Sequence, residues 1–199
     1  MRLLTRCLTV VLLVLAAAST GSAQADWRAL RLGDAREALA YFPGEASASY
    51  DTLATATGER VVATYAYRDG GERGANATGN LFYAVTVVDY GPGAFPADSL
   101  ALHAAFFDAT VAAAAERVGG RVVVDEDQEH PTAPGRYFRL DVEDPERGRQ
   151  LWYARAYLVG GRYFVQQQVV TTAAMDGERA RLRFFDSGRP LVAAMARRG

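Results

Sequence analysis

The stretch Gln150 to Thr172, QLWYARAYLVGGRYFVQQQVVTT, constrains the fold more than any other part of the chain. Two runs rich in Val, Tyr, Phe and Trp flank Gly160-Gly161, and paired glycines accept the positive φ angles of a primed two-residue hairpin turn. Folding about that pair sets Val159 opposite Arg162, Tyr157 opposite Phe164, Arg155 opposite Gln166 and Tyr153 opposite Gln168. The other face then carries Leu158 with Tyr163, Ala156 with Val165, Ala154 with Gln167 and Trp152 with Val169. Both faces are largely apolar, the pattern of a central hairpin covered on both sides.

The remaining elements follow from punctuation and period. Asp26 to Asp34 is expected to lie over the domain ahead of the first strand, Ala38 to Phe42, which Pro43-Gly44 ends. Ser47 to Thr57 and Arg60 to Arg68 read as a second hairpin turning at Thr57-Gly58-Glu59. Asp69 to Asn80, with four glycines, is a loop. Its Asn76-Ala77-Thr78 matches a glycosylation acceptor, which marks a surface position. Leu81 to Tyr90 is an internal strand. Asp98 or Ser99 is the expected cap of the one long helix, whose apolar stripe is Leu100, Ala104, Phe107, Val111, Ala114, Ala115 and Val118. Gly119-Gly120 ends that helix. Arg121 to Asp127, Arg136 to Val142, Leu151 to Val159 and Arg162 to Thr171 form an antiparallel meander. A last helix, Gly177 to Asp186, has Asp176 as cap and turns Ala180, Phe184 and Phe185 inward, with Arg179, Arg181 and Arg183 on its wet side. The expected fold is one α+β sandwich: a mainly antiparallel sheet of about six to eight strands, with the long helix and the C-terminal helix packed on it.

The first 25 residues carry a different signal. Arg2 and Arg6 precede an apolar centre from Leu8 to Ala18, and Ala23-Gln24-Ala25 supplies small residues for cleavage. That order predicts a secretory signal peptide, cleaved after Ala25, and an exported periplasmic or extracellular protein. The apolar centre is too short to span a bilayer, and Cys7 precedes it, so no lipid-bearing cysteine follows. Cleavage would remove 25 of 199 residues and leave one domain of 174. Of 22 basic residues, 20 would remain against 23 acidic ones, a formal charge of −3 that argues against a nucleic-acid partner. The one cysteine would leave with the signal, taking thiol nucleophiles and thiolate metal ligands with it. Lysine is absent from the whole sequence, which removes the phosphate-loop lysine, Schiff-base chemistry and lysine general bases.

Tyr41-Phe42-Pro43-Gly44, Arg155-x-Tyr157 before Gly160-Gly161-Arg162-x-Phe164, and Phe184-Phe185-Asp186-Ser187 are motifs that, in this order of elements, resemble the PsbP-like family. That family includes exported bacterial proteins and the photosystem II extrinsic subunit. The resemblance spans nearly all of the chain after the signal. It departs at Ser187-Gly188, where such relatives have Ser-Phe, and at the loop Asp69 to Asn80. It implies an antiparallel sheet between helices and a non-catalytic accessory or assembly role, with no shared catalytic residue to carry over.

Three constellations are candidate sites. Tyr153, Arg155, Tyr157, Gln166 and Gln168 share one face in the hairpin register above. There a guanidinium and two amides among aromatic rings suit a carboxylate or a peptide end. The ordinary alternative pairs Arg155 with Asp141 or Glu143 and leaves the glutamines on backbone groups. Asp125, Asp127 and Glu129 share a strand face that offers oxygen ligands to a hard cation. No EF-hand is present, because His130 and Arg136 stand where glycine and glutamate are required, and a solvated strand end explains the run more simply. Ser99 and His103 lie one helical turn apart, but Ser99 reads as a cap and no Gly-x-Ser-x-Gly elbow exists. No catalytic residue, metal or cofactor is expected. The expected partner is a protein or small ligand of the cell envelope, met without a membrane anchor. The competing class is a metal-dependent or carboxylate-based envelope enzyme built near His130.

Overall fold

The computed structural model describes residues 27–31, 39–55, 58–69, 78–174, 177–188 and 192. The proposed signal peptide, most of the glycine-rich loop and Asp176 lie outside the described residues. A seven-stranded antiparallel sheet forms the middle layer, in the order β3-β4-β5-β9-β8-β7-β6. Its strands are β3 (Ser47–Thr55), β4 (Gly58–Arg68), β5 (Phe82–Asp89), β6 (Arg121–Gln128), β7 (Gly135–Asp144), β8 (Gly148–Val159) and β9 (Tyr163–Thr172). β1 (Arg28–Arg31) and β2 (Leu39–Phe42) form a separate two-stranded sheet, so the segment expected to lie over the domain is itself a strand. Helix α1 (Leu100–Val118) packs on one face of the large sheet, and α2 (Glu178–Ser187) packs on the other with β1 and β2. This is the expected α+β sandwich. No helix among the described residues is long and apolar enough to cross a membrane.

The meander β6-β7-β8-β9 is present, and β5 joins it at β9. The β8–β9 register differs from the expected one by a single residue. Val159 pairs with Tyr163, Tyr157 with Val165, Arg155 with Gln167 and Tyr153 with Val169. Gly160 and Gly161 adopt φ of 59° and 65°, and the Arg162 amide donates to the Val159 carbonyl at 3.1 Å, as the turn requires. Arg162 then drops out of the β8 pairing because β5 holds it. Its guanidinium donates to both Asp89 oxygens, at 2.8 and 2.5 Å, and its carbonyl accepts the Tyr90 amide at 3.0 Å. Side chains alternate along a strand, so the slip moves every β9 residue to the opposite face from the one expected.

Beneath α2 the core contains Phe42, Tyr83, Tyr153, Tyr157, Val165, Val169, Phe184 and Phe185, all buried. Phe184 is fully buried, with ring centroids 5.3 Å from Phe42 and 5.2 Å from Tyr83, edge-on in both pairs. Gln167 is buried here too, and its amide donates to the Phe184 carbonyl at 2.9 Å, tying β9 to α2. Gly188 follows at the helix end, and a side-chain carbon there would fall on the Gln167 amide. A phenylalanine at this position would therefore displace that amide.

Beneath α1 the buried residues of the helix are His103, Phe107 and Val111. Leu100 is 74% exposed and Ala104 is exposed, so the inward stripe begins at His103, not at Leu100. Ser99 occupies the cap position without a side-chain cap bond, and Gly119 ends the helix in the left-handed conformation.

Candidate functional site

Register decides which candidate side chains meet. On the α2 face, β7 contributes Tyr137 and Arg139, β8 contributes Arg155 and Tyr153 opposite them, and β9 contributes Gln167 and Val169. Tyr153, Arg155 and Tyr157 thus share a face as expected. Gln166 and Gln168 do not join them: they pair with Ala156 and Ala154 on the α1 face. The amide beside Arg155 is Gln167, already used to hold α2.

Docking of α2 adds a third arginine. The Arg181 guanidinium lies over the Tyr153 ring at 4.0 Å from its centroid, and the Arg139 guanidinium is 5.8 Å from the same ring. Arg155 stacks over Phe185 at 4.8 Å. Arg155 and Arg181 side chains are each only 14% exposed, so Arg181 does not lie on the wet side of its helix. Arg179 does, and Arg183 covers the Trp27 ring at 4.6 Å. Acidic partners are few and distant. Arg155 meets Asp186 at 3.5 Å and Arg181 meets Glu178 at 3.8 Å, with both carboxylates mostly exposed. Asp141, one of the two acids that the ordinary alternative offered to Arg155, is taken by Arg149 at 2.6 Å and Arg121 at 3.4 Å. The Nε atoms of Arg139 and Arg155 are buried without a hydrogen-bond partner.

Burial raises the Tyr137 hydroxyl above its ordinary value, and Tyr153 adds to the rise. The positive charges of Arg181, Arg139 and Arg155 oppose it, which places all three guanidinium groups in electrostatic reach of one phenol. The cluster is therefore a cationic patch on an aromatic floor, able to receive a carboxylate through planar N–H donors. Sequence reading found Arg155 and Tyr153 but missed Arg139, Tyr137 and Arg181. The alternation Tyr137-x-Arg139 carried a signal for the first two. Nothing local pointed to Arg181, because its place depends on how α2 docks.

The other candidates resolve differently. Asp125 and Asp127 turn toward α1 and are occupied by Arg136, at 2.7 and 2.6 Å, which also reaches Asp108 of α1 at 2.6 Å. Among the described residues no group of three or more His, Asp or Glu is placed to hold a metal. His130 lines an open depression of about 670 Å³ in which Glu129 is the one carboxylate among the described residues, and its Nδ1 lies 3.2 Å from the Thr132 hydroxyl. His103 is buried with neither ring nitrogen hydrogen-bonded, so Ser99 and His103 form no nucleophile and base pair.

No family model and no curated protein matches the chain. Among solved structures, a similar chain is that of PA94 from Pseudomonas aeruginosa, a protein of unknown function. The two share 12% identity over 82% of this chain and 94% of that one, with a TM-score of 0.41. A likeness of that size bears on neither fold nor function.

Proposed function

We propose that the protein is an exported, non-catalytic binding and assembly module of PsbP-like type, which receives an acidic group of an envelope partner on its α2 face. The observation that carries this reading is the cluster of Arg139, Arg155 and Arg181 around Tyr153, in which three cations meet two mostly exposed acids and two buried Nε atoms are unbonded. The unbonded Nε atoms mark guanidinium groups whose donors are not all used within the chain, and the outer nitrogens of each planar fork are the ones an incoming carboxylate would meet. The export signal and the order of motifs support the compartment and the family type. The competing enzyme reading needs converging carboxylates beside His130, and among the described residues that depression has Glu129 alone.

The test is capture from the native envelope fraction with the wild-type chain and with Arg155→Ala combined with Arg181→Ala. Far-UV circular dichroism first establishes that both are folded, and N-terminal sequencing of the exported protein is expected to begin at Asp26. A partner retained by the wild type and lost by the folded variant supports the reading. Equal retention removes the α2 face from consideration, and turnover of a captured small molecule refutes a non-catalytic role.

A further inference from the structure

The large sheet is seven strands wide, and its α1 face is covered by one helix that packs toward β6 and β7. Beside the C-terminal end of α1 this leaves a groove of about 400 Å³ over β8, β9, β5 and β4. Its floor is Phe82, Trp152 and Val170, and Gln168 contributes an amide. Three arginines from three different elements line it: Arg68 at the end of β4, Arg117 in the last turn of α1 and Arg147 in the turn between β7 and β8. The Arg68 guanidinium carbon lies over the Phe82 ring, 4.9 Å from its centroid. Arg147 lies in electrostatic reach of Asp144 and helps to hold its carboxyl below the ordinary value, whereas no carboxylate of the described residues forms an ion pair with Arg68 or Arg117. The one acid in the lining, Asp144, is engaged by the backbone amides of Glu146 and Arg147 at 2.9 and 2.8 Å. Three cations against one occupied carboxylate, set around an aromatic floor, favour an occupant that is negative at one end and apolar at the other.

We propose that this groove is a binding site for a small amphipathic carboxylate, its flat or chain-like body on Trp152 and Phe82 and its carboxylate held by Arg117 and Arg147. The site is separate from the α2-face cluster, because alternate residues of β8 and β9 serve the two faces.

Trp152 is a built-in reporter, and Trp27→Phe removes the other indole, which packs with Tyr83 on the opposite side of the sheet. The mature chain carrying Trp27→Phe is titrated with 4-phenylbutyrate, its primary amide and inorganic phosphate, following indole fluorescence. The acid is expected to saturate with a Kd on the order of 0.1 mM, with the amide about tenfold weaker and bound acid weakening as salt rises. Arg117→Gln and Arg147→Gln, both at exposed positions, are each expected to weaken the acid about tenfold, while exposed Arg179→Gln on α2 leaves it unchanged. Equal affinity for acid and amide overturns the proposal, as does wild-type affinity in both groove variants. Phosphate binding as tightly as the acid overturns the apolar part of the site, and no saturable signal from the acid at about 10 mM overturns it entirely.

Discussion

The three consecutive glutamines of β9 test the register directly. Gln167 is 1% exposed and donates to the Phe184 carbonyl at 2.9 Å, whereas Gln166 and Gln168 are half-buried on the opposite face. Gln167→Ala forfeits that hydrogen bond, about 1 kcal/mol, and one buried methylene, about 0.8 kcal/mol, and leaves a cavity where the amide stood, about 1 kcal/mol more. Two features reduce the sum. The Phe184 carbonyl keeps the Ser187 hydroxyl at 2.6 Å, and the Gln167 Oε1 is buried without a partner, so its removal relieves about 1 kcal/mol. The net expectation is a loss of about 2 kcal/mol, or about 4–8 °C in Tm for a domain of this size. Gln166→Ala and Gln168→Ala are expected to stay within about 0.5 kcal/mol. Gln167→Met, which keeps the stem and lacks both amide atoms, should lose less than about 1 kcal/mol. Urea denaturation of the chain from Asp26 onward, followed by far-UV circular dichroism, measures all four. A loss at Gln166 or Gln168 equal to or larger than that at Gln167 refutes the observed register and restores a direct two-residue turn.

Other outcomes follow from the packing. Phe184→Ala empties the centre of the α2 core and is expected to cost about 3–5 kcal/mol by chemical denaturation, with a loss under about 1 kcal/mol counting against the central position of that ring. Gly161→Ala places a side chain at φ +65° with its Cβ 3.1 Å from the Phe95 carbonyl oxygen, and about 1–2 kcal/mol should be lost in the same assay. Hydrogen bonding from Arg162 holds the Asp89 carboxyl below its ordinary value of 3.8. A carboxylate lowered in the folded state stabilises above its unfolded value and loses that contribution as pH falls through the folded one, so acid titration below about pH 4 should show a stability slope that Asp89→Asn flattens. Identical acid profiles for the two proteins would falsify the pairing.

What was legible in the chain is what period and punctuation encode. The meander, the long helix ending at Gly119 and the inward Phe184-Phe185 pair all stand where local pattern put them, because one apolar face per element suffices to place each. The failures share another cause. Arg162 leaves the hairpin because Asp89, far away in sequence, holds it, and no local pattern encodes that partner. His103 replaces Leu100 and Ala104 on the inward stripe because the angle at which α1 crosses the sheet, and not hydropathy, selects the face. The acidic run reads as a cation site until Arg136, on the neighbouring strand, is found between its carboxylates. Of the candidate cluster, Tyr153, Arg155 and Tyr157 came from strand alternation alone, and the two glutamines were misplaced by the single-residue slip.

The absence of lysine gives these separate observations a common physical basis. Every side-chain cation apart from histidine is a planar guanidinium, which can lie flat on an aromatic ring and still donate from its edge. Among the described residues six guanidinium groups lie over a ring: Arg68 over Phe82, Arg139 and Arg181 over Tyr153, Arg155 over Phe185, Arg162 over Tyr163 and Arg183 over Trp27. Stacking permits a half-buried cation without an acid beside it, because the ring face supplies part of the lost solvation while the stem covers apolar surface. An ammonium group can also meet a ring face, but as a compact and strongly hydrated point charge it loses more solvation there and keeps no planar edge of donors. The chain therefore sets guanidinium groups over both faces of one sheet, and those of the two proposed sites meet few acids, Asp186 and Glu178 on the α2 face and Asp144 in the groove, all near their margins.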